Sequence, residues 1–141
     1  MTVTELSLVL QPSAAPVGKG QTVLLVEDDD SVRLLVKDVL KELGYNALEA
    51  AEPQSGVSLL ASSQRIDLMI SDVGLPGMNG RQLAEVARQH HPDLPVLFIT
   101  GYAENAAIRS GFLGNNMAMI TKPFSLDLLA AKIGEMLGDQ R

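Results

Sequence analysis

The hydrophobic pattern of this chain changes period repeatedly. Short apolar runs, Val23-Leu24-Leu25-Val26, Ile66 to Ile70 and Val96-Leu97-Phe98-Ile99, alternate with stretches whose apolar residues recur every three or four positions. A strand that is apolar at almost every position has no face to offer water and must be covered on both sides. That condition is met by a parallel sheet with helices on both faces, joined by right-handed crossovers.

The periodic stretches supply the helices. Val32, Leu35, Val36, Val39, Leu40 and Leu43 share a stripe, and Gly44 marks its stop. A weaker strand spans Tyr45 to Ala50, and Pro53 opens a helix through Val57, Leu60 and Ala61. The central strand is expected over Ile66 to Ser71. Leu83, Val86, Ala87 and His90 mark a third helix, closed by Pro92. After the strand Val96 to Thr100, residues 103 to 113 are weakly helical, with Gly111 and Gly114 in and beside them. A strand at Met117 to Ile120 precedes a last helix with Leu126, Leu129, Ile133 and Met136 on one face. The expectation is five strands alternating with five helices.

Length and composition narrow the possibilities. The 141 residues, 46% of them hydrophobic, suit one domain with a packed core. Residues 1 to 20 read as a flexible tail, because Gln11 to Gly20 is rich in Pro, Gly and small residues; the domain is then 21 to 141. A net charge of −6 without a basic run argues against nucleic acid as a direct partner. The absence of cysteine excludes disulfides, thiolate metal sites and a cysteine nucleophile. No apolar stretch reaches the roughly 18 residues of a membrane span. Glu5 precedes the short Leu6 to Leu10 run, with no Lys or Arg leading it, so no signal peptide is expected and the expected location is the cytoplasm.

Chemistry-bearing residues gather where the apolar runs end. Val26 is followed by Glu27-Asp28-Asp29-Asp30, Ile70 by Ser71-Asp72, Ile99 by Thr100, and Ile120 by Thr121-Lys122-Pro123-Phe124. In a doubly wound sheet these positions line the crevice at the strands' C-terminal ends, where ligands bind. Asp28 and Asp72, brought together from adjacent strand ends, repel each other unless something positive lies between them. With only carboxylate, carbonyl and water oxygens on offer, the hard cation Mg2+ fits best. Glu27 or Asp29 can contribute through a water, and the carbonyl of Gly74 lies within reach. A carboxylate is also a nucleophile toward phosphorus. The cation and Lys122 would then neutralise the phosphoryl oxygens, and the Thr100 hydroxyl would donate to one of them.

Each piece alone has a plainer reading. Asp29 or Asp30 suits a helix N-cap or first turn. Lys122 alone is a surface lysine and Thr100 an ordinary strand-end residue. His90 and His91 read as a solvated helix end, and Met69, Met78, Met117, Met119 and Met136 as core or turn filler. The specificity lies in the joint arrangement.

That arrangement resembles a receiver domain of two-component signalling, a response regulator, over about residues 21 to 138. The motifs are Val23-Leu24-Leu25-Val26-Glu27-Asp28-Asp29, Ser71-Asp72-Val73-Gly74-Leu75-Pro76-Gly77-Met78-Asn79-Gly80, Phe98-Ile99-Thr100-Gly101 and Thr121-Lys122-Pro123-Phe124. The resemblance implies a flavodoxin-like five-stranded parallel sheet, ordered 2-1-3-4-5, with five helices. It implies that Asp72 accepts phosphate from a histidine kinase or a phosphotransfer protein. It assigns Glu27 and Asp28 to the Mg2+ site, Asp28 as the direct ligand and Glu27 mainly through water, and has Thr100 and Lys122 sense the phosphoryl group. Met119 stands where family members usually carry Tyr or Phe, and Gly74 offers no side chain to the attacking water.

No helix-turn-helix or catalytic effector follows Arg141, so a stand-alone switch is expected, similar to receivers at the ends of hybrid histidine kinases. It would act on a downstream protein partner or in a phosphorelay, with a homodimer open to it. Enzymatic activity would be limited to its own phosphotransfer and dephosphorylation. Two other readings compete. Asp28-Asp29-Asp30 gives the Asp-x-Asp of a haloacid-dehalogenase-type phosphatase, with Asp28 as nucleophile. A receiver that is never phosphorylated would be a pure interaction module, against which the intact acidic site speaks.

Overall fold

A computed structural model describes residues 20–75, 77–101 and 116–138. Five strands are present: β1 (Thr22–Val26), β2 (Asn46–Ala50), β3 (Leu68–Asp72), β4 (Val96–Thr100) and β5 (Met117–Thr121). The described helices are α1 (Asp30–Glu42), α2 (Pro53–Leu60), α3 (Gly80–His90) and α4 (Leu126–Gly138). All strand pairings are parallel, in the order β2-β1-β3-β4-β5, as expected. The helix expected at 103 to 113, and the tail apart from Gly20, lie outside the described residues.

The apolar runs divide their side chains between two cores. Leu24, Val26, Met69, Val96 and Phe98 point to one face and pack with Leu60, Leu83, Ala84 and Ala87 of α2 and α3. Val23, Leu25, Leu68, Ile70, Leu97 and Ile99 point to the other and pack with Val36, Val39, Leu40, Leu129 and Ile133 of α1 and α4. This period-two division is the reason that β3 and β4 are buried at every position. The methionines behave as filler: Met69 is fully buried, and Met78, Met117, Met119 and Met136 pack partly buried against the two cores.

The helix ends follow local chemistry. The Asp29 carboxylate caps α1, accepting from the Ser31 and Val32 amides at 2.9 and 3.2 Å. Gly44 stops the same helix in the left-handed region, at φ 92°. Asn79 and Gln82 form a reciprocal capping box at the start of α3.

Several details differ from the sequence reading. β3 runs one residue further than expected, to Asp72, because β4 extends beside it and pairs Asp72 with Ile99. It also starts at Leu68: Asp67 instead caps β1, its Oδ2 accepting from the Thr22 amide at 2.8 Å. Leu35 and Leu126, placed on apolar stripes, are each 44% exposed, while Leu137 takes a core place on α4. His91 is not merely a solvated helix end, since its Nε2 lies 3.1 Å from the Leu60 carbonyl and ties α3 to α2.

Gly80 sets how closely α3 approaches the end of β3. Its amide donates to the Val73 carbonyl at 2.9 Å, and a Cβ there would lie 2.5 Å from the Asp72 carbonyl oxygen and 3.0 Å from the Val73 Cα. Both obstacles are backbone, so neither can rotate away. Gly80→Ala is expected to lower stability to denaturant by about 1–3 kcal/mol, the usual cost of overpacking. An alanine variant as stable as the parent would show that α3 slides freely over this junction.

Candidate functional site

The chain winds from β1 outward to β2 and then returns across β1 to β3, which places the reversal point between β1 and β3. The sequence-predicted site residues converge there. Glu27 and Asp28 follow β1 directly, and Asp72 is the last residue of β3. One carboxylate oxygen from each of the three lies within 4.8 Å of the others. Asp28 is exposed, whereas Glu27 and Asp72 are buried. Lys122, just past β5, brings its Nζ to 3.8 Å from Asp72 Oδ2, and its own amide donates to the Thr100 carbonyl at 2.8 Å. The Lys122–Pro123 peptide is cis.

Two buried oxygens at this end of the sheet, Glu27 Oε1 and Thr100 Oγ1, have no hydrogen-bond partner among the described residues. An unmade buried hydrogen bond costs about 1–3 kcal/mol, so both atoms are suited to a ligand that supplies what they lack. Gly74 sits at the rim, where its amide donates to Asp72 Oδ1 at 3.2 Å. Asp29 is turned the other way: its carboxylate is engaged in capping α1, and its amide donates to Glu27 Oε2 at 2.9 Å.

The electrostatics match the geometry. Burial pushes the Glu27 carboxyl up from 4.5 to about 7; the Asp29 amide and Lys122 act against this, and the charges of Asp72 and Asp28 reinforce it. Three converging carboxylates therefore carry more negative charge than one lysine neutralises. All donors are oxygens, the set is compact, and one member is orphaned, which fits a hard divalent cation.

Sequence reasoning missed Arg33. Its Nη1 donates to the Glu27 carbonyl at 2.8 Å. A lone arginine on a helix carries no motif, and the bond goes to main chain, so no side-chain pattern could have revealed it.

Comparison with known proteins leads to one class. The model of the response regulator receiver domain matches residues 23–134, and the chain belongs to that family, which serves in two-component signalling. It is 39% identical over 131 residues to the sensor kinase CckA of Brucella abortus, across 90% of this chain and 14% of that protein. It is 31% identical over 115 residues to the response regulator receiver protein CpdR of the same organism, across 82% of this chain and 95% of that protein. Among solved structures, a CheY-like receiver domain protein from Methanospirillum hungatei JF-1 matches with a TM-score of 0.75 at 30% identity, covering 86% of this chain and 97% of that one. The chain spans 14%, 31% and 48% of the length of three further-reaching relatives, the kinase included. No helix among the described residues is long and apolar enough to cross a membrane.

The raised Glu27 carboxyl gives a signed pH dependence. Between about 4.5 and 7 the folded protein holds a proton that the unfolded chain has lost. Its contribution to metal-free stability is complete below that window and is lost as pH rises through it. Glu27→Gln should flatten this fall when unfolding free energy is measured across the window without divalent ions. Parallel curves for variant and parent would show that Glu27 ionises normally.

Proposed function

We propose that Asp72 accepts a phosphoryl group from the phosphohistidine of a histidine kinase or phosphotransfer protein. The observation that carries this reading is the double setting of Asp72, which meets two further carboxylates and Lys122 at the same strand end. An Asp72 carboxylate oxygen forms the new bond to phosphorus while the nitrogen–phosphorus bond of the donor breaks, and the electron pair leaves with the imidazole. The alternative nucleophile, Asp28, is exposed, and among the described residues it is Asp72 rather than Asp28 that pairs with Lys122.

Asp28, Asp72 and the Gly74 carbonyl would hold Mg2+, with Glu27 contributing through a water. When bound, the cation supplies positive charge against the three carboxylates and the incoming phosphoryl oxygens. The remaining roles belong to the chain. Thr100 Oγ1, buried and without a partner among the described residues, donates to one phosphoryl oxygen. Lys122 Nζ exchanges its long contact with Asp72 for a phosphoryl oxygen. Movement of these two groups is the signal that a downstream protein partner reads, or the phosphoryl group passes on in a relay. Met119, half-buried where an aromatic ring is usual, has several rotamers of similar energy and lacks a two-position swing. Coupling therefore rests on Thr100 more than on residue 119.

A small phosphodonor with Mg2+ should add one base-labile phosphoryl group, detected by mass spectrometry, and Asp72→Asn should abolish it. Labelling that survives in Asp72→Asn and disappears in Asp28→Asn would favour the phosphatase reading instead. Mg2+ should also raise the midpoint of thermal unfolding, because it binds only the folded state. Asp28→Ala should remove that response and make the metal-free protein more stable by relieving repulsion. Equal Mg2+ stabilisation of variant and parent would refute the cation site.

A further inference from the structure

We propose that Arg33 is a positioning residue for the acidic site: it holds the peptide plane between Glu27 and Asp28, and so sets how their carboxylates meet Asp72. The inference rests on the cation-binding role proposed above. The β1 ladder ends at Val26, and the Glu27 amide is still tied to the sheet through the Ala50 carbonyl at 3.0 Å. The Glu27 carbonyl lies past the ladder and accepts from Arg33 Nη1 at 2.8 Å. That carbonyl belongs to the peptide whose nitrogen is Asp28's. Fixing it fixes the direction in which the chain carries Asp28 away from Glu27.

Arg33 is itself held on its other sides. Its Nη2 binds Asp30 Oδ1 at 2.6 Å and its Nε faces Glu49 Oε1 at 3.5 Å. Lys37 Nζ secures the second Glu49 oxygen at 2.9 Å. The guanidinium thus joins α1, β2 and the loop that carries two of the three converging carboxylates. A plain surface ion-pair cluster would contribute little, because solvent screens it. Two features set this one apart: the Arg33 side chain is only 18% exposed, and it reaches six residues back to main chain outside its own helix. Lysine would keep the charge but offers a single donor head, which cannot engage all three partners in the planar fork.

The test compares the parent with Arg33→Met, Arg33→Lys, Glu49→Gln and Asp28→Asn. Three quantities are measured: the Mg2+ dissociation constant by calorimetry, the Mg2+ dependence of phosphorylation by a small phosphodonor, and metal-free amide exchange at Asp28 and Asp29. Arg33→Met should weaken Mg2+ roughly tenfold, as loss of a group behind a metal ligand does. It should speed exchange at Asp28 and leave the phosphorylation rate at saturating Mg2+ close to the parent's. Arg33→Lys should recover only a minor part of the affinity. Glu49→Gln, which leaves the Glu27 bond in place, should shift affinity less and in the same direction; it carries the test if Arg33→Met does not fold. Parent-like affinity and exchange in Arg33→Met, or in Glu49→Gln where it stands in, would overturn the positioning role. So would full recovery by Arg33→Lys, which would leave charge alone as the cause. A parent that binds no Mg2+, or an Asp28→Asn variant that binds it as tightly, would overturn the cation site itself and this inference with it.

Discussion

Repulsion among three carboxylates is the constraint around which the rest is arranged. The order β2-β1-β3 forces Glu27, Asp28 and Asp72 to one point, and the buried core beneath them denies at least two of them free solvation. A fold that brings like charges together accepts a local instability. The surrounding parts limit it: Lys122 lies beside Asp72, the Asp29 and Gly74 amides donate into the carboxylates, and Glu27 retains its proton up to about neutrality. The unmet remainder is what makes the site receptive to a cation and to an anionic group that shares it.

Much of this was legible because burial on both faces leaves an unmistakable trace. Val23 to Val26 and Val96 to Ile99 are apolar at every position since both cores claim them, and the polar residues that interrupt such runs mark the strand ends. Gly44 and the capping role of Asp29 were readable for a local reason, as each satisfies backbone geometry within a few residues. The convergence of Asp72, Thr100 and Lys122 followed from those strand ends together with the winding rule.

What escaped the sequence depends on distant backbone. The last residue of β3 is decided by its neighbour, because Asp72 is a strand residue only while Ile99 pairs with it. Leu35 and Leu126 have the residue type of a core stripe but are left half-exposed, so residue type alone did not place them on the buried face. His91 and Arg33 bind the carbonyls of Leu60 and Glu27, groups that every residue possesses and that leave no mark in a side-chain pattern. The segment at 103 to 113 lies outside the described residues, so its expected helix takes no part in this comparison.

The ladder pairing Val26 with Ser71, one residue short of Glu27 and Asp72, also acts as a ruler. A slip of one residue would move a strand-end group by about 3.3 Å and turn its side chain to the opposite face. The carboxylate oxygens meet within 4.8 Å, so such a slip consumes most of that tolerance in a single step. Position along each strand is therefore quantised. The chemistry at the sheet's edge has no gradual route to misalignment: the register is right, or the acidic group does not form.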